Sequence, residues 1–106
     1  MVIKINSIDQ FKQVIDTNEK VFIIKHSKTC PISQGAYDQF EKFLYERDID
    51  GYAIIVQDAR EVSDYVASYT NVKHESPQAF YFVNQQVKWH DSHSNITISS
   101  LSNAEE

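Results

Sequence analysis

The sequence predicts an α/β fold, a three-layer α/β/α sandwich around a mixed central sheet, and three observations carry that prediction. Apolar runs at Val21–Ile24, Ala53–Val56 and Ala79–Val83 have the length and the β-branched or aromatic content of buried strands. Stretches with apolar residues at helical spacing separate them, and strands separated by helices pair in parallel through right-handed crossovers. The last run is followed closely by another strand, so a terminal hairpin adds an antiparallel pair to the same sheet. Two sets of striped helices then need two sheet faces, which makes three layers.

In chain order, Val2–Ile5 is a short candidate edge strand. Ser7 and Gln10 have the spacing of a capping box, in which each side chain satisfies an orphan amide at a helix start. Ile8, Phe11, Val14 and Ile15 continue as one apolar stripe. Lys20–His26 reads as a buried strand. After Cys30-Pro31 a helix runs to about Arg47, with Ile32, Ala36, Phe40, Phe43 and Leu44 on its inward face. Gly51 opens a strand through Val56. Asp58-Ala59-Arg60-Glu61 can cap a third helix, striped by Val62, Tyr65, Val66 and Tyr69. Beyond Pro77, Ala79–Val83 and Val87–His90 form a hairpin through Asn84-Gln85-Gln86, a turn without glycine. A last helix from about Thr97, or equally from Asn95 or Ile96, to Ala104 turns Ile98 and Leu101 inward.

Composition narrows the class. A chain of 106 residues fits one domain, 1–106. With 42% apolar residues and only two Gly and two Pro, it is neither disordered nor a linker protein. Ten Lys plus Arg against fifteen Asp plus Glu give a net charge of −5, which disfavours binding to a nucleic-acid backbone. No apolar run approaches the roughly 20 residues that span a bilayer. MVIKINSIDQ has neither the apolar centre nor the cleavage site of a signal peptide. A cytoplasmic protein is expected, acting as a monomer without membrane or nucleic-acid partners.

Cys30 is the single cysteine, so no internal disulfide and no thiolate metal cage can form. It stands where the strand Lys20–His26 hands over, through Ser27-Lys28-Thr29, to a helix. Proline favours the first helical turn because its missing amide hydrogen would have had no partner there. Pro31 therefore makes Cys30 the N-cap, with the amides of Ile32 and Ser33 directed at its sulfur. These amides and the helix dipole favour thiolate, and Lys25, His26 and Lys28 add positive charge. Ser33 can also donate its hydroxyl to the sulfur. A lone cytosolic cysteine is more often a small buried hydrophobe, but the polar approach and the helix mouth favour a reactive thiol. His26 and Cys30 are too few for a metal site, His90 and His93 suit an exposed strand end, and the role of His74 is open. Pro77 suits the first residue of a central strand, and its bond to Ser76 can be trans or cis.

Placed in this element order, the Cys-Pro helix start and the Ser76-Pro77 approach to a hairpin resemble the thioredoxin fold. Thr29-Cys30-Pro31-Ile32-Ser33 resembles the T-C-P-I-S active site of the monothiol bacilliredoxins, redox proteins of the bacillithiol system. The resemblance spans nearly the whole chain. It implies that Cys30 is the nucleophile, supported by Thr29, Pro31, Ile32 and Ser33. Ser33 stands where dithiol relatives carry a resolving cysteine, and Ser76-Pro77 matches a cis-proline loop beside the sulfur. Cys30 would attack a protein–bacillithiol mixed disulfide, accept the bacillithiol and be regenerated by a second bacillithiol. The implied partners are bacillithiolated proteins and bacillithiol as co-substrate, with no tightly bound cofactor. Lys28 and His26 are candidates for meeting the carboxylates of the small thiol. Ser33 departs from the C-x-x-C of general disulfide reductases, and Pro31 departs from the C-G-F-S of cluster-carrying glutaredoxins. The competing readings are a non-catalytic binding protein with Cys30 as a passive cap, and a redox sensor with Cys30 as its modification site.

Overall fold

Strand β2 (Lys20–His26) organises the molecule, because the apolar side chains of its Val-Phe-Ile-Ile run alternate between two buried faces. The computed structural model describes residues 1–106. Before β2 come β1 (Val2–Lys4) and α1 (Ile8–Thr17); after it come α2 (Pro31–Arg47), β3 (Gly51–Ile55) and α3 (Arg60–Thr70). The chain closes with β4 (Gln78–Val83), β5 (Gln86–Ser92), a 3-10 turn at His93–Asn95 and α4 (Ile98–Ala104). The sheet order is β1-β3-β2-β4-β5. β3 pairs in parallel with β1 and β2, whereas β4 pairs antiparallel with β2 and β5, so the sheet is mixed.

Phe22 and Ile24 of β2 pack with Phe40, Phe43 and Leu44 of α2 and Leu101 of α4. On the other face, Val21 and Ile23 meet Phe11, Val14 and Ile15 of α1 and Val62 and Val66 of α3. This is the three-layer sandwich that the apolar stripes require. Gly51 sits so close beneath α2 that a Cβ there would lie 2.6 Å from Leu44 Cδ1, which explains a glycine at the start of a strand.

Several local expectations are corrected. Ser7 Oγ accepts from the Gln10 amide at 3.1 Å as a cap should, but Gln10 Oε1 accepts from the Asn6 amide at 2.8 Å instead of closing the box on Ser7. The hairpin turn is the two residues Asn84 (φ 51°) and Gln85 (φ 70°), so β5 starts at Gln86 and continues to Ser92. Both residues are left-handed, as a tight hairpin demands, and the Tyr69 hydroxyl fastens the turn by donating to the Gln85 carbonyl at 2.7 Å. Ile32 is 53% exposed, not inward, as is Tyr69 at 41%. Ile32 lies in the first turn of α2, on the solvent side of the residues that cover the sheet.

One strand residue defies its polarity. Lys25, at 0% exposure, faces away from α2. Its ammonium Nζ donates to the Ser63 carbonyl of α3 at 3.0 Å and to His74 Nδ1 at 3.1 Å, and lies 5.9 Å from the centre of the Phe80 ring. Burial lowers its pKa from 10.5 to about 8, with Asp64 opposing the shift. The unfolded chain therefore binds more protons than the folded one between those values, and folding stability rises with pH across that window. Relative to Lys25→Met, the native protein should gain up to about 3 kcal/mol between pH 8 and 10.5. Urea unfolding across that range measures this, and parallel stability curves for the two proteins would contradict it.

Candidate active site

The carboxyl ends of parallel β2 and β3 and the amino end of antiparallel β4 share one sheet edge. Three connections therefore converge there, through residues 27–30, 56–59 and 71–77. The Lys25–Gln78 pairing places Pro77 next along the register, across from His26, and the Ser76–Pro77 peptide bond is cis.

Cys30 is the N-cap of α2, with extended backbone (φ −105°, ψ 119°), Pro31 following it and its side chain half-buried. The thiol pKa is drawn below its ordinary value, first by the Ser33 amide and then by the Ile32 amide and the Ser33 hydroxyl, with burial opposing. No short, well-aligned cap hydrogen bond closes on the sulfur. The amides act as a converging set of partial positive charges rather than as one directed bond. The expected contribution of nearby cations is not found. Lys25 points to the opposite face of the sheet, and Lys28 Nζ is bound to Asp58 Oδ1 at 2.8 Å.

His26 is also placed differently from a surface contact for a carboxylate. It is buried, with its ring centre 4.8 Å from that of Tyr37 of α2. Burial lowers its pKa, opposed by the Ser33 backbone and Asp38, so the neutral ring is favoured. Its Nδ1, Ser33 Oγ and Ser76 Oγ are three of only four buried side-chain polar atoms without a hydrogen-bond partner. Such atoms are costly and rare in native proteins, and here they gather in residues of the converging segments and the first turn of α2.

Sequence reasoning missed the residues that brace these segments. Gln57, just beyond β3, accepts from the Lys28 amide at 3.2 Å and donates to Ser27 Oγ at 2.8 Å and Thr29 Oγ1 at 3.5 Å. The side chain of Gln78, 2% exposed, donates to the Lys73 carbonyl at 2.9 Å and accepts from the Glu75 amide at 3.4 Å. His93 donates its amide to the Pro77 carbonyl at 3.0 Å and pairs with Glu75 at 3.4 Å. The available signal was positional: a polar residue at the carboxyl end of a parallel strand or the start of a central one. His90 is exposed on β5. No group of three or more His, Cys, Asp or Glu side chains is placed to hold a metal ion, and no helix is long and apolar enough to cross a membrane.

A helix-capping acid thiol at the edge of this sandwich defines a thiol–disulfide oxidoreductase of thioredoxin fold, and solved structures agree. A candidate oxidoreductase with a thioredoxin fold is 65% identical, covers 99% of this chain and 94% of its own, and superposes with a TM-score of 0.98. Two thioredoxins share the fold alone. That of Malassezia sympodialis has 24% identity, 98% and 87% coverage and a TM-score of 0.78. That of Trypanosoma brucei brucei has 16% identity, 99% and 88% coverage and a TM-score of 0.79. Residues 3–101 match the family model described as monothiol bacilliredoxin BrxC, and the chain belongs to that family.

The sources of thiol acidity can be separated. Ser33→Ala should move the alkylation of Cys30 by iodoacetamide to higher pH, because it removes a donor and leaves the backbone amides. Lys28→Met should leave the profile in place, because Asp58 already engages that charge. The reverse order would contradict stabilisation by the helix start.

Proposed function

We propose that this protein removes bacillithiol from protein mixed disulfides, using Cys30 alone. The observation that carries this reading is an acid thiol at a helix start with a serine, Ser33, in the position one turn on, in a chain with no other cysteine. The Cys30 thiolate attacks the bacillithiol sulfur of the mixed disulfide. A Cys30–bacillithiol disulfide forms, the old S–S bond breaks, and the substrate cysteine departs as a thiolate that takes up a proton. A second bacillithiol thiolate then attacks the adduct at the bacillithiol sulfur. It releases Cys30 and leaves as the symmetrical bacillithiol disulfide. The second bacillithiol thiol is oxidised to the disulfide level as the protein cysteine is reduced to its thiol, and the number of disulfide bonds is unchanged, so no resident cofactor is required.

The residues around the sulfur suit this work. Ser33 offers a hydroxyl to the thiolate but no second sulfur, so the adduct waits for an external thiol. Exposed Ile32 provides apolar surface next to the nucleophile, while Thr29 and Pro31 set the entry into α2. Lys28 is exposed and held by Asp58, where it can exchange that carboxylate for one on the small thiol. Ser76 and Pro77 border the site from the β4 side. These steps need thiols that stay reduced, which fits the cytoplasm.

The test is transfer of the adduct. A protein carrying a bacillithiol mixed disulfide, incubated with this chain, should lose its adduct as Cys30 gains it by intact mass, and Cys30→Ser should abolish the gain. Ser33→Cys should discharge the adduct internally and leave an intramolecular disulfide. Absence of transfer would overturn the enzyme reading. Equal rates with cysteine or glutathione mixed disulfides would overturn the preference for bacillithiol.

A further inference from the structure

The mechanism above leaves Lys25, the most deeply buried cation, without a role. Its ammonium group ties β2 and α3 to His74, in the segment 71–76 that leads to Pro77. Ser63 Oγ of α3 lies 3.2 Å from the same His74 Nδ1, so two donors converge on one ring nitrogen. Gln78 holds Lys73 and Glu75 on either side of His74. The backbone N–H and C=O of the next residue, Ser76, make no hydrogen bond within the chain. A residue whose backbone donor and acceptor are both open can pair with another polypeptide. The sheet register sets this one on the active side of the molecule, across from the strand that delivers Cys30.

We propose that Lys25 and His74 are positioning residues for polypeptide disulfides: their hydrogen bond anchors the 71–76 segment so that Ser76 receives the chain that carries the disulfide, and protonation of His74 releases it. A ring nitrogen that receives two donors must carry a lone pair, which fixes His74 as the neutral tautomer protonated on Nε2. A proton added at Nδ1 would face an ammonium group 3.1 Å away that cannot accept it, so the Lys25 bond is lost even if Ser63 Oγ turns to accept the proton. The surroundings keep the ring neutral. Burial acts first and Lys25 second, Arg60 adds to them, and Asp64 of α3 and neighbouring Glu75 oppose. Glu75 is itself engaged by His93. Asp64 also supports the charge on Lys25, the other half of the pair. A small disulfide, which has no peptide backbone to pair, does not depend on this anchor.

Two probes separate docking from thiol chemistry. One is a short peptide whose cysteine is disulfide-linked to thionitrobenzoate; the other is the symmetrical aromatic disulfide of that thiol. In each, the Cys30 thiolate forms a new S–S bond and expels coloured thionitrobenzoate, so the ratio of the two rates cancels the titration of Cys30. In the native protein the peptide-to-small ratio should fall as pH drops from neutral to mildly acidic. Lys25→Met should lower the ratio about tenfold at neutral pH through a higher KM for the peptide, the loss of roughly one charged hydrogen bond. His74→Asn supplies an acceptor that cannot take a proton; it should keep the neutral ratio and lose the acidic fall. A native ratio that is flat with pH, an acidic fall that persists in His74→Asn, or a neutral ratio unchanged in Lys25→Met would each overturn the proposal. A native protein inert to both probes would overturn the exchange chemistry and this inference together. Reaction with both at a flat ratio would overturn this inference alone.

Discussion

The first turn of α2 is the constraint on which the site depends. A helix begins with amides that have no partner inside it, and here the residue placed before them carries sulfur. Pro31 makes that placement stable, since a proline costs a helix nothing at this position. The half-buried cap then meets two opposed effects. Removing the sulfur from water disfavours the thiolate, and the Ser33 and Ile32 amides with the Ser33 hydroxyl favour it; the second effect is the larger. No cation is needed, and none is supplied. An acid thiol stabilised by backbone amides does not depend on one particular charged side chain beside it.

The rest of the fold keeps that turn and its neighbours in place. Parallel β2 and β3 bring Gln57 beside residues 27–29, where three polar contacts fix the approach to Cys30. Antiparallel β4 brings Gln78 and the 71–77 segment to the same edge. The two cores on either side of β2 support this edge, whereas the residues at the edge leave His26 Nδ1, Ser33 Oγ and Ser76 Oγ unpaired. A well-packed scaffold ending in unsatisfied polar atoms is what a site that borrows groups from its substrate requires.

Much of this was legible in the sequence where local chemistry decides the outcome. The Val-Phe-Ile-Ile run, the Phe40–Phe43–Leu44 stripe and the Cys-Pro helix start each state their own structure, and all formed as read. The misreadings have one source, which is that tertiary position overrode local pattern. Ile32 fits the helical stripe, yet its turn overhangs the sheet and leaves it exposed. Lys25 reads as surface charge in any window of sequence, and only the meeting of β2, α3 and the 71–76 segment supplies the acceptors that let it be buried. Gln57 carries no motif, because its partners lie 28–30 residues away and become neighbours only once the sheet is built, and Gln78 reaches back to Lys73 and Glu75 through a loop path that no residue pattern marks. Asn84 and Gln85 form a tight turn without glycine because the paired strands and Tyr69 hold them there.

The folded helix start, and not the cysteine's sequence neighbours, makes Cys30 acidic. Titration of the thiolate by its ultraviolet absorbance, in the native protein and in the urea-unfolded chain, tests this most directly. Local charges from Lys25, His26 and Lys28 are present in both states, but the converging amides exist only in the native one. The midpoint should be lower in the folded protein than in the unfolded chain. Coincident midpoints, or a higher one on folding, would contradict it.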